Sequence, residues 1–382
     1  VQEFRRPEFE VRTRVDSVGP YIKTDPVTVA AEATYFSGGP LPDADVDWRV
    51  FSSDAVYAPP GWNAFEFGTW VPWWSERGLG RGFESVRGQQ PAEVFIGRTD
   101  ANGEHYLQLD FGADHVDQPI TVNAQASVTD VNRQTWSSDT NLLIHPASVY
   151  VGLRSDRTFV RKGEPLQIAS IVTDIDGTAI PQRAISITAG RLQWQYSDDR
   201  WEQVAVDSQG CDLTSTFQEQ LCAFDTAVGG TYCIVAVVTD EFGRTNRSEA
   251  TRWVSGGQQA PDRGLQLEAI TLIPDKGTYE PGDVAEILVE APFEGGTGLL
   301  TLARNGVLAT STFELDGTTA VFEIAVEDRY IPGFDIQVEV VGASERTTDD
   351  GTPLPEAIQR PAFASGQLPL AVPPTSRTLK VE

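Results

Sequence analysis

The chain has 382 residues, 29 basic against 55 acidic, for a formal net charge of −26. That balance argues against nucleic acid as a partner, because affinity there rests on Lys and Arg neutralising phosphates. It disfavours contact with an anionic membrane surface for the same reason, and no apolar run approaches the ~18 residues that a membrane span needs.

The length suits roughly two to four domains, each able to bury a core of its own. The sequence holds no methionine and begins on a strand-like Val1-Gln2-Glu3-Phe4, so it is expected to be a piece of a longer protein.

Residues 1–146 read as the first of three consecutive β-sandwich domains. Phe9-Glu10-Val11 opens a strand. Val27, Val29 and Ala31 alternate with Thr28 and Ala30, and Tyr35-Phe36 runs into the turn Ser37-Gly38-Gly39-Pro40. Val46, Trp48 and Val50 alternate with Asp45, Asp47 and Arg49, giving one buried and one wet face. Then Tyr57, Trp62, Phe65, Phe67, Trp70, Trp73, Trp74 and Phe83 crowd among Pro59-Pro60 and several glycines. This stretch is too irregular for a helix or a long strand. It is expected to be an ordered loop clamping its own sandwich or a neighbour, with Trp70, Trp73 and Trp74 as candidate interdomain contacts. A sugar-stacking platform is the competing use. Tyr106, Leu107 and Leu109 rebuild a strand. A hairpin turning at Asp130 closes the domain at Leu142-Leu143-Ile144-His145-Pro146. Asp130 can accept turn amides, and Asn132 is expected in the left-handed backbone that a short loop needs.

Residues 147–260 read as the second domain. Val149, Val151 and Leu153 begin it, Leu166 and Ile168 enter a strand, and Asp174-Ile175-Asp176-Gly177 is a hairpin turn. Ile185, Ile187, Trp194 and Tyr196 are expected to supply core. The run Ala236-Val237-Val238-Thr239-Asp240-Glu241-Phe242-Gly243 repeats the Asp130 hairpin 110 positions later, about the length of one β-sandwich. A domain-length period marks repeated modules. Gly256-Gly257-Gln258-Gln259-Ala260-Pro261 reads as a linker. Residues 261–382 read as the third domain, with strand candidates at 287–289, 299–302, 321–324 and 336–340. A polar surface loop is expected at 343–365, and a terminal strand at Leu379-Lys380-Val381. No amphipathic helix of normal length is expected.

Chemistry is sparse. The three histidines, His105, His115 and His145, are scattered. No nucleophile elbow, His-Glu-x-x-His, P-loop or dinucleotide fingerprint occurs, so no catalytic, cofactor or metal site is expected. Asp174-x-Asp-Gly and Asp100-x-Asn-Gly start like calcium loops, but Ile185 and Phe111 stand where the twelfth-position Glu belongs. Asn246-Arg247-Ser248 matches a weak glycosylation pattern. Of the cysteines, Cys211 and Cys222 flank a polar loop and form the favoured pair, leaving Cys233 free and packed. A fully reduced state and other pairings stay open. A Cys211–Cys222 bridge would contribute about 3 kcal/mol in the chain-entropy model.

Four stretches together resemble the macroglobulin-domain array of bacterial α2-macroglobulins. They are Val1-Gln2-Glu3-Phe4-Arg5-Arg6-Pro7-Glu8-Phe9; Tyr35-Phe36-Ser37-Gly38-Gly39-Pro40-Leu41-Pro42 with Val46-Asp47-Trp48; Thr239-Asp240…Gly243-Arg244 closing in Trp253-Val254-Ser255-Gly256; and Pro274-Asp275-Lys276…Tyr279-Glu280-Pro281-Gly282-Asp283. The loop ending Trp70-Val71-Pro72-Trp73-Trp74 is similar too. The resemblance implies all-β, immunoglobulin- or fibronectin-like macroglobulin domains. It also implies a scaffold role, without enzyme activity, in a broad-spectrum protease inhibitor. Such a parent traps target proteases after bait cleavage and tethers them through a Cys-x-Glu-Gln thioester. Here Glu219-Gln220 follows Cys211 at the wrong spacing, so the thioester is expected elsewhere and the segment N-terminal to the bait. Partners implied are target proteases, through the parent, and neighbouring macroglobulin domains. The implied place is the periplasm or cell surface. Competing readings are an immunoglobulin-like stalk or adhesin, and a carbohydrate-binding appendage using Trp70, Trp73 and Trp74.

Overall fold

Alternating apolar and polar side chains set the strands, and aspartate-capped turns join many of them. The computed structural model describes residues 8–74, 92–111, 117–197, 200–257, 269–348, 352 and 354–375. In the first module the strands are β1 (Phe9–Val15), β2 (Tyr21–Ile22), β3 (Val27–Tyr35), β4 (Asp45–Asp54), β5 (Glu93–Arg98), β6 (Glu104–Leu109), β7 (Ile120–Thr129) and β8 (Thr135–His145). One sheet runs β1-β3-β6 and the other β2-β8-β7-β4-β5. Val27, Val29, Ala31 and Ala33 of β3 share a core with Trp48 of β4 and Val122, Ala124, Ala126 and Val128 of β7.

The second module repeats this plan. Its strands are β9 (Val149–Arg154), β10 (Phe159–Val160), β11 (Leu166–Asp174), β12 (Ala184–Ser197), β13 (Arg200–Thr214), β14 (Gln220–Phe224), β15 (Gly230–Thr239) and β16 (Thr245–Val254). The sheets run β14-β11-β9 and β10-β16-β15-β12-β13, strand for strand the order of the first module. Even the two-residue strand recurs: β2 lies parallel to β8, as β10 lies parallel to β16. The sequence repeat is therefore a repeat of topology. The third module has β17 (Thr271–Pro274), β18 (Val284–Glu290), β19 (Gly296–Ala303), β20 (Val307–Leu315), β21 (Thr319–Ala325), β22 (Gly333–Ser344) and β23 (Arg360–Ala371). Its sheets run β17-β18-β21 and β20-β19-β22-β23. A short 3-10 turn, Asp328–Tyr330, precedes β22.

The turns share one device. Asp130 Oδ1 accepts the amides of Asn132 and Gln134 at 2.9 and 2.8 Å. Asp240 Oδ1 does the same for Phe242 and Arg244 at 2.9 and 3.0 Å. Asp100 caps Asn102 and Glu104, and Asp174 caps Thr178. The two calcium-like loops thus use their first aspartate as a turn cap.

Several expectations are corrected. The left-handed residue of the first hairpin is Arg133 (φ 61°), not Asn132, because the reversal falls three residues after the aspartate, as at Gly243. Trp194 and Tyr196 do not join the core. β12 pairs with β15 only as far as Arg191, beyond which β12 and β13 continue as a two-stranded ribbon. The polar loop is 345–359, since β22 and β23 pair from Gly333↔Ala371 to Ser344↔Arg360. Expectations at residues 1–7, Phe83, His115, 258–261 and 379–381 lie outside the described residues.

Candidate functional site

After β4 the chain leaves the first module and crosses the second. Residues 55–74 form a strap rather than a loop over their own sandwich. Glu66 pairs with Leu153 of β9 through two backbone hydrogen bonds of 2.7 and 2.9 Å. Further on, Trp70 N–H donates to the Glu249 carbonyl and Glu249 N–H to the Gly68 carbonyl, each at 2.8 Å, on β16. Gly68 N–H reaches Ser248 Oγ at 2.9 Å. β9 and β16 belong to different sheets, so the strap closes one open edge of the second sandwich.

Side chains fix its path. Tyr57 Oη donates to the Ile175 carbonyl at 2.7 Å, and Trp62 Nε1 to the Gly177 carbonyl at 2.8 Å. Phe67 packs with Tyr150 and Ile171, and Gly152 leaves room for its ring: a Cβ there would lie 2.7 Å from Phe67 Cζ. Gly177 is required twice. Its φ is +88°, and a Cβ would meet the Pro60 carbonyl oxygen at 2.1 Å.

The deepest contact is ionic. Arg252 of β16 has a side chain only 2% exposed, and it donates to Glu66 Oε2 at 2.8 Å. Its guanidinium also lies over the Trp70 ring, 4.9 Å from the centroid. Burial raises the Glu66 carboxyl pKa, and the guanidinium offsets part of that rise. A buried charge holds its place only when paired, so this pair fixes the strap's register.

Beyond Trp70 the strap reaches the third module. Trp70, Trp74 and Trp253 pack mutually, with centroids 5.8 to 6.1 Å apart. Trp74, 8% exposed, joins Phe159, Trp253, Ile270, Leu272, Ile273 and Tyr279 in one continuous hydrophobic cluster. The second and third modules therefore share core at their junction. Trp73 stacks edge-on against Trp74 at 5.5 Å and is 40% exposed. Trp70 and Trp74 are thus packed into the junction, while Trp73 keeps part of its ring open.

Polar contacts flank the junctions. Arg157 and Arg161 reach Glu286 and Glu323 at 2.7 to 3.5 Å, Thr158 Oγ1 donates to the Pro274 carbonyl, and Gly256 N–H meets Thr319 Oγ1 at 2.9 Å. Between the first and second modules, Arg247 N–H donates to the Asp117 carbonyl at 2.8 Å. Asp240 anchors the same junction. Its Oδ2 accepts the Ser148 amide and hydroxyl at 3.1 and 3.0 Å and Arg244 Nε at 2.7 Å, and Arg244 reaches on to Thr24. Burial would raise its pKa, but these donors outweigh burial and hold the carboxyl at about 2. His145 Nδ1 lies 2.7 Å from Tyr150 Oη, with Tyr57 edge-on at 4.9 Å, and burial lowers its pKa.

The opposite edge of the second sandwich is closed covalently. Cys211 of β13 is bonded to Cys222 of β14, with 6.2 Å between Cα atoms. Cys211, the cysteine before Glu219-Gln220, is thereby occupied as a half-cystine. Cys233 is free, and burial beside Glu249 pushes its thiol up to about 12, which leaves it unreactive. Asn246 is fully buried, and its Oδ1 accepts the Val151 amide at 2.9 Å, so the glycosylation pattern is a structural one. Sequence reasoning missed Glu66, Arg252, Trp253 and Phe159 as strap partners. Arg252 carried the only local signal, a charged residue inside an otherwise strand-like closing run.

What fold and strap define together is an array of β-sandwiches bound by one of its own loops. Residues 270–382 match the family model described as alpha-2-macroglobulin bait region domain. An alpha-2-macroglobulin homolog of Nostoc sp. is 20% identical over 350 residues, covering 89% of this chain and 18% of that protein. Circularly permutated Ras protein 2 of Dictyostelium discoideum is 29% identical over 213 residues, 52% of this chain and 5% of its own length. Among solved structures, native Escherichia coli alpha-2-macroglobulin aligns over 95% of this chain and 23% of its own, with 16% identity and a TM-score of 0.45. The chain is similar to an alpha-2-macroglobulin homolog over most of its length and to the bait region domain in its third module. It spans less than a fifth of either curated relative. The match also brings the bait region domain, as that model defines it, inside this chain at the third module, where the resemblance had set the whole segment N-terminal to the bait.

Proposed function

We propose that the chain is a scaffold segment, without enzymatic activity, of an α2-macroglobulin-like protease trap acting in the periplasm or at the cell surface. The observation that carries this is the strap. It begins in the first module, closes the second and seats Trp74 in the core shared with the third. Three sandwiches held this way make a stiff frame, and a stiff frame can hold a cleavable bait and a distant reactive group in a metastable arrangement. The disulfide supports an oxidising compartment. Target proteases would meet the parent protein, and neighbouring macroglobulin domains would meet this frame.

The test is to incubate the full-length parent with a panel of proteases, with and without methylamine, which consumes thioesters. Covalent capture that disappears after methylamine supports the trap. A parent that captures nothing and shows no amine-sensitive change sinks it, and leaves a stalk or adhesin as the role of the array.

A further inference from the structure

The first module hands over to the second through three residues, Pro146-Ala147-Ser148, between the end of β8 and the start of β9. Ala147 is fully buried, so the link is packed. His145, the last residue of β8, is 5% exposed at this hinge, and its carbonyl accepts the Lys23 amide at 2.9 Å. Its ring meets two others. Tyr150 of β9 brings its hydroxyl to 2.7 Å from Nδ1. Tyr57 of the strap stands edge-on to His145 at 4.9 Å and tilted against Tyr150 at 5.2 Å. The first module, the second module and the strap thus each contribute one ring to a single cluster.

The hydrogen bonds assign the ring's state. Tyr57 Oη donates to the Ile175 carbonyl. Among the described residues, Tyr150 Oη has no acceptor other than His145 Nδ1. The Tyr150 hydroxyl is therefore the donor, and Nδ1 is the unprotonated nitrogen of a neutral imidazole. A proton on Nδ1 turns that acceptor into a donor. The Tyr150 hydrogen must then turn toward Phe67 and Ile171, which pack on the same ring and accept no hydrogen bond through their side chains. The charged groups around the cluster do not compensate. Asp174 and Asp176 lie beyond Tyr57 and act on its hydroxyl. Asp240 and Arg244, behind Ser148, are paired with each other. Lys23, on the β2 side, makes its contact through the backbone and carries positive charge. Burial lowers the His145 pKa from its ordinary 6.5.

We propose that His145 is an acid-sensitive latch on the hinge between the first and second modules. When its ring takes a second proton, the Tyr150 contact fails, Tyr57 lifts from the cluster, and the two sandwiches part while each stays folded. The undocked chain binds that proton more readily than the docked one. The latch is therefore closed above the ordinary histidine range and weakens as pH falls through it. Other groups do not mimic this. Burial raises the Glu66 and Glu290 carboxyls, Glu290 to about 7, so acid favours the docked state at those positions. Asp240 weakens the junction only below its ordinary 3.8. His105 has the sign of His145, but its Nδ1 accepts the Trp48 indole N–H between the two sheets of the first module, so it acts within that sandwich.

Amide hydrogen exchange and small-angle scattering of the 382-residue chain, between about pH 7.5 and about pH 5, test this. Two amides report on docking: Glu66, bonded to the Leu153 carbonyl, and Arg247, bonded to the Asp117 carbonyl of the first module. Corrected for the intrinsic pH dependence of exchange, their protection should fall at least about threefold toward the acid end, the order that one buried histidine supplies. The scattering should show the first two modules further apart. His145→Phe keeps a ring at the hinge without a titrating nitrogen and should remove both changes, whereas His105→Gln should leave them in place. If His145→Phe unfolds, an NMR titration of the His145 ring nitrogens in the unaltered chain decides: Nδ1 should be unprotonated at neutral pH and should gain its proton in step with the loss of protection. Protection that ignores pH, a response that persists in His145→Phe, a ring that titrates out of step with the amides, or sandwiches that melt at the pH where the modules part overturns the proposal.

Discussion

The second sandwich is closed at both open edges, by two different devices. At one edge Cys211 and Cys222, 11 positions apart, bond β13 to β14. At the other, a strap from the first module pairs with β9 and β16 through contacts such as Gly68 to Ser248, 180 positions apart. The covalent staple acts within one module. The strap makes the closing of that module conditional on its neighbours. Cutting the first should soften a domain, and cutting the second should soften the array.

The sharpest way to break this comparison is at the buried ion pair. Glu66→Ala strands the Arg252 guanidinium in a site where its side chain is 2% exposed. A loss of about 3–5 kcal/mol is expected by chemical denaturation, because an uncompensated buried charge is left behind. Glu66→Leu combined with Arg252→Met should recover most of it. A loss below about 1 kcal/mol for Glu66→Ala would show that the strap does not depend on the pair.

Trp74→Ala tests the junction itself. Removing a buried Trp is expected to cost about 3–4 kcal/mol, drawn from the cluster that joins Trp253 to Ile270 and Tyr279. Small-angle scattering should show the second and third modules splayed while the first module keeps its melting transition. Trp73→Ala, at a ring 40% exposed, should do far less. An unchanged scattering profile for the double alanine variant would count against the strap as an intermodule device. By contrast, Cys211→Ser with Cys222→Ser should cost about 2–3 kcal/mol in the second module and leave the scattering profile alone. If it opens the array too, the two edges are not the separate devices described above.

The same contrast explains what was legible beforehand. The strands of β3, β4 and β7 read correctly because period-two alternation is written into neighbouring residues. The Asp130 and Asp240 turns and the cysteine pair were legible for the same reason: each is settled within a few residues, or within one polar loop. The strap's wealth of aromatics marked it as an unusual segment, but its targets are backbone groups of β9 and β16, and backbone carries no residue-type signal. Trp194 and Tyr196 misled because an overhanging ribbon keeps the same alternation as a core strand. β23 was hidden by Pro361 and Pro369, which argue against a central strand but are at home on an edge.

The smallest expected effect separates the two hairpins that first revealed the repeat. Asp130 caps only its own turn, whereas Asp240 also binds Ser148 and Arg244 at the junction of the first two modules. Its folded-state pKa of about 2 lies below the ordinary 3.8. The unfolded chain therefore binds more protons between those values. Asp240 then contributes about 2 kcal/mol that is fully present above the unfolded pKa and lost as pH falls through the folded one. Asp240→Asn keeps an oxygen for the turn amides but loses the charge facing Arg244. It should destabilise by about 2 kcal/mol at pH 7, and the gap to the parent sequence should close as pH falls toward 2. Denaturation of both proteins across that range is the measurement, read as their difference so that other carboxylates cancel. Asp130→Asn, with no junction to hold, should cost less at neutral pH. If the two substitutions cost the same, Asp240 is only a turn cap, and the repeat is symmetrical where the structure makes it unequal.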